Sequence, residues 1–516
     1  MPRSCGSLPE NLDAFALTSG DGKVFAVGTN AKKVASRALG VDSPMAMRAK
    51  WKFRSNEERT MMAKARLDGL YLLLLGGMIL LMLGAILERA SPAPMSDFKA
   101  VYYGARCVLQ HSNPYQDGEI LRMYEADGGR FPSDPTSSRS ARRAILVCIN
   151  LPTALFLVAP FAILSWGPAH VFWMVLMAGS LMLAAFLMWD LGAGYAPVVA
   201  GALTGFVLAN SEVLAIIGNA AGIAISLCLI AVWCFIKKRF VAAGVVCLAI
   251  SLALKPHDGG LLWLYYLLAG GVYRKRALQS LAVAVALCLP AILWVSQVAP
   301  HWMQELHSNL AATSARGDLN DPGPTSMGAH TLGMVISLQT IVSLFRDDAS
   351  FYNPASYLIG GAPILVWVVV TLRSRFSIER AWLALAAIAA LSLLPVYHRI
   401  YDSKLLLLTV PACAMLWSEG RWIGRIALMV NAAAFVLTGD LPWVLVFGLI
   451  GHLRPATPWL SGRVLTAIAV FPAPTILLVM SIFYLWVYVS RSTGPKHLDA
   501  IAPKIERIYA ARVQHT

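Results

Sequence analysis

Through most of this 516-residue chain, runs of about 20 mostly apolar residues recur with almost no charge among them. A helix needs roughly that length to cross the hydrocarbon of a bilayer, and one charge at its centre costs about 2.5 to 3.5 kcal/mol on insertion scales. With 57% hydrophobic and only 14% charged residues and a mean hydropathy of +0.62, the chain has too little polar surface for an ordinary soluble domain. The pattern predicts an all-α integral membrane protein.

A formal charge of +15 raises the question of nucleic acid. The cations, however, cluster in short connections: Lys237-Lys238-Arg239, Arg274-Lys275-Arg276, and Arg373 with Arg375. Such clusters fix orientation by the positive-inside rule, so membrane lipids and not nucleic acid are the expected partners. Most of the eight cysteines, Cys148, Cys228, Cys234, Cys247 and Cys288 among them, lie in apolar runs without metal or redox spacing. Residues 1–66 lack the apolar core of a secretory signal and end in a basic run from Arg48 to Arg66. They read as a cytoplasmic, disordered extension, with Met45, Met47 and Met61 as alternative starts.

From a cytoplasmic N-terminus, residues 69–87 cross outward and 88–143 form a long external loop. Spans at 144–165 and 168–189 follow. Charge bias then favours one full crossing within 195–236, preceded by a short or broken element, and makes 331–345 a non-crossing segment. Spans at 240–254, 259–273, 277–299, 356–372, 380–396, 404–417, 423–439 and 464–489 bring the total to about twelve, each near the roughly 20 residues a crossing needs. The domain organisation is thus 1–66, a transmembrane domain at 67–490, and a cytoplasmic tail at 491–516 carrying Arg491, Lys496 and Lys504. This parity sends four polar stretches to one external side: the loop around Asp97, Lys255-Pro256-His257-Asp258, residues 300–330, and His398-Arg399-Ile400-Tyr401-Asp402.

In the first of these, Ser96 is positioned as an N-cap, and Phe98, Val101, Tyr102, Ala105, Val108 and Leu109 share one helical face. The spacing predicts an amphipathic helix along the membrane interface, stopped by Asn113-Pro114. Asp97 lies at the start of that helix, where the helix field favours a carboxylate. It fits either a base or an ordinary first-turn capping residue. Lys255 ends an apolar span, where it either binds an anion or snorkels to the headgroups while Pro256 stops the helix. His398, Arg399, Tyr401 and Asp402 form a compact polar island between strongly apolar spans. His301, His307, Asp318, Asp321 and His330 invite a metal, but their spacing matches no ligand pattern and none is expected. Tyr102, Tyr103, Tyr115 and Trp302 suit sugar stacking or an interfacial aromatic belt equally.

The stretch Ser96-Asp97-Phe98-Lys99-Ala100-Val101-Tyr102-Tyr103-Gly104-Ala105, continued by Asn113-Pro114-Tyr115, resembles the first external loop of bacterial membrane glycosyltransferases of family 87. These include polyprenyl-phosphate-mannose-dependent α-mannosyltransferases. The likeness runs from about residue 68 to 420, through Asn150-Leu151-Pro152, Ala159-Pro160-Phe161, Lys255-Pro256 and His398 to Tyr401 in order. It departs at Gly218-Asn219, where the family often has Gly-Gln, at a single proline in the second-span motif, and at His111-Ser112 before Asn-Pro-Tyr. The resemblance implies a GT-C type polytopic helical bundle in the bacterial cytoplasmic membrane, with its site on the extracytoplasmic side. It further implies Asp97 as the catalytic base, and Lys255, His257, His398 and Arg399 on the donor phosphate. Tyr102, Tyr103, Tyr115, Tyr401 and Asp258 would contact substrate. The implied partners are a polyprenyl-phosphate sugar donor and a glycolipid or glycan acceptor, with no cofactor and no obligatory metal. Another lipid-phosphate sugar such as arabinofuranose, or a transporter or flippase using Glu212, are the alternatives, with a non-catalytic scaffold behind them.

Overall fold

Prolines and glycines cut the apolar stretches into helices of unequal length, and the cuts place the polar segments. The computed structural model describes residues 44–323, 335–440 and 471–493. Residues 1–43 of the predicted extension, residues 331–334, His330, residues 464–470 of the last predicted span, and Lys496 and Lys504 lie outside the described residues. The chain divides into two units, Met1–Lys64 and Ala65–Thr516. Residues 44–64 of the first are helical.

The described residues form an all-α architecture, with a single isolated bridge between Val335 and Arg399 as the only extended pairing among them. Its first helices are α1 (Pro44–Ala90), α2 (Ser96–Leu109), α3 (Asp117–Ala126), α4 (Pro135–Leu146) and α5 (Pro152–Ala162). Next come α6 (Trp166–Gly192), α7 (Pro197–Leu208), α8 (Glu212–Ile217), α9 (Ala221–Lys237), α10 (Val241–Leu254), α11 (Pro256–Ala269) and α12 (Gly271–Val298). After α13 (Trp302–Thr313), α14 (Leu338–Ser343), α15 (Ala349–Arg373) and α16 (Ile378–Ser392), a 3₁₀ helix (Ile400–Leu408) leads into α17 (Thr409–Ser418). Helices α18 (Trp422–Leu437) and α19 (Pro472–Thr493) complete the described chain.

Among the described residues, seven helices are long and apolar enough to cross a membrane. The other predicted crossings are shorter or broken, so the count of about twelve does not follow from length and composition alone. The predicted span at 144–165 is one such case: Pro152 starts the eleven-residue α5, and an extended turn separates it from α4. Within 195–236, α7 and α8 together, interrupted at residues 209–211, make Pro197–Ile217 one of the seven, whereas the 17-residue α9, the expected full crossing, is among the shorter apolar helices. The six residues of α14 rise about 9 Å, too short to cross.

Burial separates outer from inner helices. The most apolar stretch of α12 is only 17% buried, against 94% for that of Ile400–Ser418, so the 3₁₀ segment and α17 lie in the interior of the bundle. Leu278, Val285, Leu289 and Leu293 on α12 and Leu358 and Leu365 on α15 are exposed. So much bare apolar surface would be an aggregation hazard in water but suits contact with lipid. The architecture is consistent with an integral membrane protein.

Two helices cross with backbones nearly touching. A Cβ built on Gly205 would lie 2.3 Å from the Leu72 carbonyl oxygen, and one on Gly201 2.1 Å from that of Gly69. Gly201 and Gly205 are one helical turn apart, the small-residue spacing that lets membrane helices approach closely. Gly205→Leu is therefore expected to force α1 and α7 apart and destabilise the protein by about 1 to 3 kcal/mol. Thermal unfolding in detergent would read this as a lowered midpoint; an unchanged midpoint would show that the crossing tolerates separation.

Helix α2 departs from the predicted interfacial ribbon. Its N-cap is Met95, in the left-handed region at φ 57°, and not Ser96. The Met95 N–H is drawn off to the Ile216 carbonyl at 2.6 Å, which turns the chain one residue earlier than the side-chain cap would. Phe98, Val101, Tyr102, Ala105 and Val108 are buried as the predicted face requires, but so are Ala100, Tyr103, Gly104 and Cys107 on the other side. The helix is covered nearly all round, because α3, α4, α5 and α8 pack on it.

Candidate functional site

The turn after α8 places the first polar pair. Gly218 adopts φ +69°, and a Cβ there would come within 2.8 Å of both the Met95 side chain and the Phe98 Cβ, so a glycine is needed for conformation and for space. Its carbonyl accepts from the Trp173 indole at 2.9 Å, and Trp173 stacks on Phe98 with centroids 4.4 Å apart. This packing sets Asp97, half-buried, opposite the next residue, Asn219. The Asn219 amide donates to Asp97 Oδ2 at 2.6 Å and to the Tyr401 hydroxyl at 3.1 Å, while its own oxygen accepts the Ala221 N–H.

A second element enters at the α10–α11 junction. Lys255 is the last residue before Pro256 and sits at φ −145°, ψ 85°, ending one helix and starting the next. That extended geometry turns its ammonium inward, to Asp402 Oδ1 at 2.8 Å and Asp258 Oδ2 at 3.5 Å, with Nζ 5.2 Å above the Tyr401 ring.

The third element is the non-helical stretch between α16 and the 3₁₀ helix. Its backbone is satisfied by residues 336 and 338, whose N–H groups donate to His398 and Leu394 carbonyls at 2.9 Å, as irregular backbone buried in a bundle requires. Asp402 closes the turn by accepting the Arg399 N–H on Oδ2 at 2.9 Å. His398, wholly buried, points Nε2 at Asp258 Oδ1, 3.5 Å away, and its ring meets that of His257 at 5.1 Å. The His257 side chain is 40% exposed. Burial of the ring's inner edge and then the Lys255 ammonium push its imidazole down to about 4, leaving it neutral at physiological pH. The Arg399 guanidinium is engaged by the Tyr397 hydroxyl, the Leu319 carbonyl and Asn320.

Four chain segments thus bring Asp97, Asn219, Lys255, His257, Asp258, His398, Arg399 and Tyr401 into one polar group. Tyr102, Tyr103 and Tyr115 are placed elsewhere. Tyr102 and Tyr103 are buried against Trp166, and the Tyr102 hydroxyl donates to the Leu164 carbonyl at 2.8 Å. Buried Tyr115 donates to the Asn150 carbonyl at 3.0 Å, joining the Asn-Pro-Tyr motif to Asn150-Leu151-Pro152. All three shape the scaffold and present no open face to a sugar.

Of the loop acids, Asp318 pairs with Arg143 at 2.9 Å, and Asp321 accepts the Gly317 and Gly323 N–H groups. A groove of about 630 Å³, lined by Arg139, Arg142, Arg143 and Asp318, lies beside the loop that Arg399 holds. The described cysteines are free thiols. Asn219, Tyr397 and Asn320 are the members of the group that sequence reasoning missed. The only signal was Asn219 at a position where the resembled family carries another amide.

No protein-family model, no curated protein and no solved structure matches this chain.

Proposed function

We propose that this chain is a membrane glycosyltransferase, similar to family 87, that moves a sugar from a polyprenyl phosphate to a lipid-linked or polymeric glycan outside the cytoplasm. The family likeness makes the sugar mannose. One observation carries the reading: a carboxylate on the first long connection, Asp97, is tied through Asn219 to Tyr401, over whose ring lies Lys255, itself paired with the Asp258 that the two imidazoles approach. A base, a cation and hydrogen-bonding imidazoles from distant segments are brought into one group, as displacement at an anomeric carbon requires.

In the reaction, Asp97 takes the proton of the acceptor hydroxyl as its oxygen bonds to the anomeric carbon. The bond from that carbon to the phosphate oxygen breaks, and the polyprenyl phosphate leaves with the electron pair. Lys255, His257 and His398 stabilise the departing anion. Arg399, engaged with the 319–320 loop, acts on it and on Asp97 through its field. Attack opposite the leaving group inverts the anomeric configuration.

Purified protein incubated with synthetic polyprenyl-phosphate mannose and a membrane lipid extract is expected to yield a glycosylated lipid by mass spectrometry, with free polyprenyl phosphate in equal amount. Competing donors carrying arabinofuranose would identify the sugar. Flux across sealed vesicles with no new glycosidic product would replace the transferase by a transporter. Glu212, the conspicuous acid for transport, instead lies beside Lys404 and Asp440.

A further inference from the structure

The contacts of His398 and Asp258 leave an imbalance inside the polar group. His398 Nδ1 lies 3.1 Å from the Val396 carbonyl, which only accepts, so that nitrogen carries the hydrogen. In the neutral ring Nε2 is then a lone pair, aimed at a carboxylate oxygen 3.5 Å away that also only accepts. Asp258 Oδ1 and His398 Nε2 have no hydrogen-bond partner, Asp258 Oδ2 has only the Lys255 ammonium at 3.5 Å, and both side chains are fully buried. His257 Nε2 approaches the same Asp258 oxygen at 3.7 Å. Buried acceptors that face one another need a positive charge between them. The nearby formal charges lean the same way: Asp258 and Asp402 share one ammonium, Lys255.

We propose that His257, Asp258 and His398 form a divalent cation site, with zinc the best-matched ion, open on one side to a phosphate oxygen. The three ligand atoms lie within 4.8 Å of one another. Ligands at about 2.0 to 2.2 Å around a tetrahedral ion stand roughly 3.3 Å apart, close to the 3.5 and 3.7 Å between Asp258 Oδ1 and the two Nε2 atoms. Two imidazoles and one carboxylate form a three-ligand set that leaves a fourth position open for an exchangeable ligand. The exposed flank of His257 supplies that opening. Val396 fixes the His398 tautomer, and Lys255 holds the second Asp258 oxygen, as outer partners of metal ligands do. The resembled family implies no obligatory metal, so the inference rests on this chain's own geometry. It deepens the donor-phosphate reading, by placing an ion between the imidazoles and the phosphate, but ion binding itself does not require that reading.

The test needs no sugar donor. Full-length protein in detergent is stripped with a chelator, loaded with Zn²⁺, desalted and assayed for bound zinc by mass spectrometry, and in parallel loaded with Co²⁺ for its visible spectrum. Stoichiometric zinc and a tetrahedral cobalt spectrum are expected. His257→Gln, on the exposed edge, should weaken zinc by more than about tenfold while leaving the metal-free melting temperature unchanged. Equal zinc in wild type and variant, or a cobalt spectrum of the free ion, would overturn the site. So would a nuclear magnetic resonance signature of protonated His398 in metal-free protein that added zinc leaves unchanged, because a shared proton then supplies the positive charge. Zinc binding without transfer would sink the transferase and leave the site standing; transfer insensitive to chelation, with no zinc bound, would do the reverse.

Discussion

Asp97→Asn is expected to fold normally, bind donor normally and transfer sugar about 10² to 10⁴ times more slowly. The geometry separates these outcomes. In the wild type, Asp97 Oδ2 accepts the Asn219 amide at 2.6 Å, and an asparagine carbonyl at the same place accepts the same hydrogen. The turn at Gly218, the stacking of Phe98 on Trp173 and the Met95 link to Ile216 do not involve the carboxylate's charge. What the amide cannot do is take a proton from a hydroxyl. The loss should therefore fall on kcat, with the donor KM nearly unchanged, the mark of an interaction made in the transition state alone. The measurement is steady-state transfer with synthetic donor, beside the melting temperature of both proteins. Turnover within a few-fold of wild type would remove Asp97 from the base role and leave it a first-turn residue of α2.

The site was legible in sequence where chemistry is local and illegible where it depends on folding over distance. Lys255-Pro256 announces itself: a cation against a proline after an apolar run must lie at a helix break, and it does. The island from His398 to Asp402 stands out because ionisable groups between apolar spans need a shared reason to be there. Asn219 carries no such mark. Its role arises from a contact 122 positions away in the chain, and from Gly218, whose left-handed turn aims it. The aromatic residues failed for the complementary reason. Tyr102, Tyr103 and Tyr115 look alike as sugar platforms or core pieces in sequence, and their burial decides for core. In the fold, apolar runs gave helices at nearly every predicted place, but not their breaks. The 3₁₀ conformation of Ile400–Leu408 has no periodic signature, since all nine of its residues are buried and nothing alternates. Runs of 3₁₀ helix that long are uncommon and mark strain or a functional bend.

That 3₁₀ segment is held by one buried cation, and removing it is expected to be the most damaging single change to stability. Lys404, 2% exposed, donates to the Asn210 carbonyl and to Asp440 Oδ1 at 3.2 Å. Asp440 Oδ2 accepts the Val213 N–H at 2.7 Å, at the start of α8. Glu212, 1% exposed, has no hydrogen-bond partner for either oxygen. Lys404 is thus the buried partner of Asp440, with Glu212 unpaired nearby, and it ties the segment carrying Tyr401 and Asp402 to the one leading to Asn219. Lys404→Met strands Asp440 in an apolar interior, at an expected cost of about 3 to 5 kcal/mol. Lys404→Met with Asp440→Leu removes both halves of the pair, and replacing such a pair by apolar side chains is often neutral. The double variant should therefore recover more than half of the loss. Chemical unfolding in detergent, followed by tryptophan fluorescence, measures both. A single variant within about 0.5 kcal/mol of wild type, the range of ordinary surface changes, would show that Lys404 bears no such burden. A double variant no better than the single one would mean that the loss comes from the Asn210 contact and not from a stranded charge.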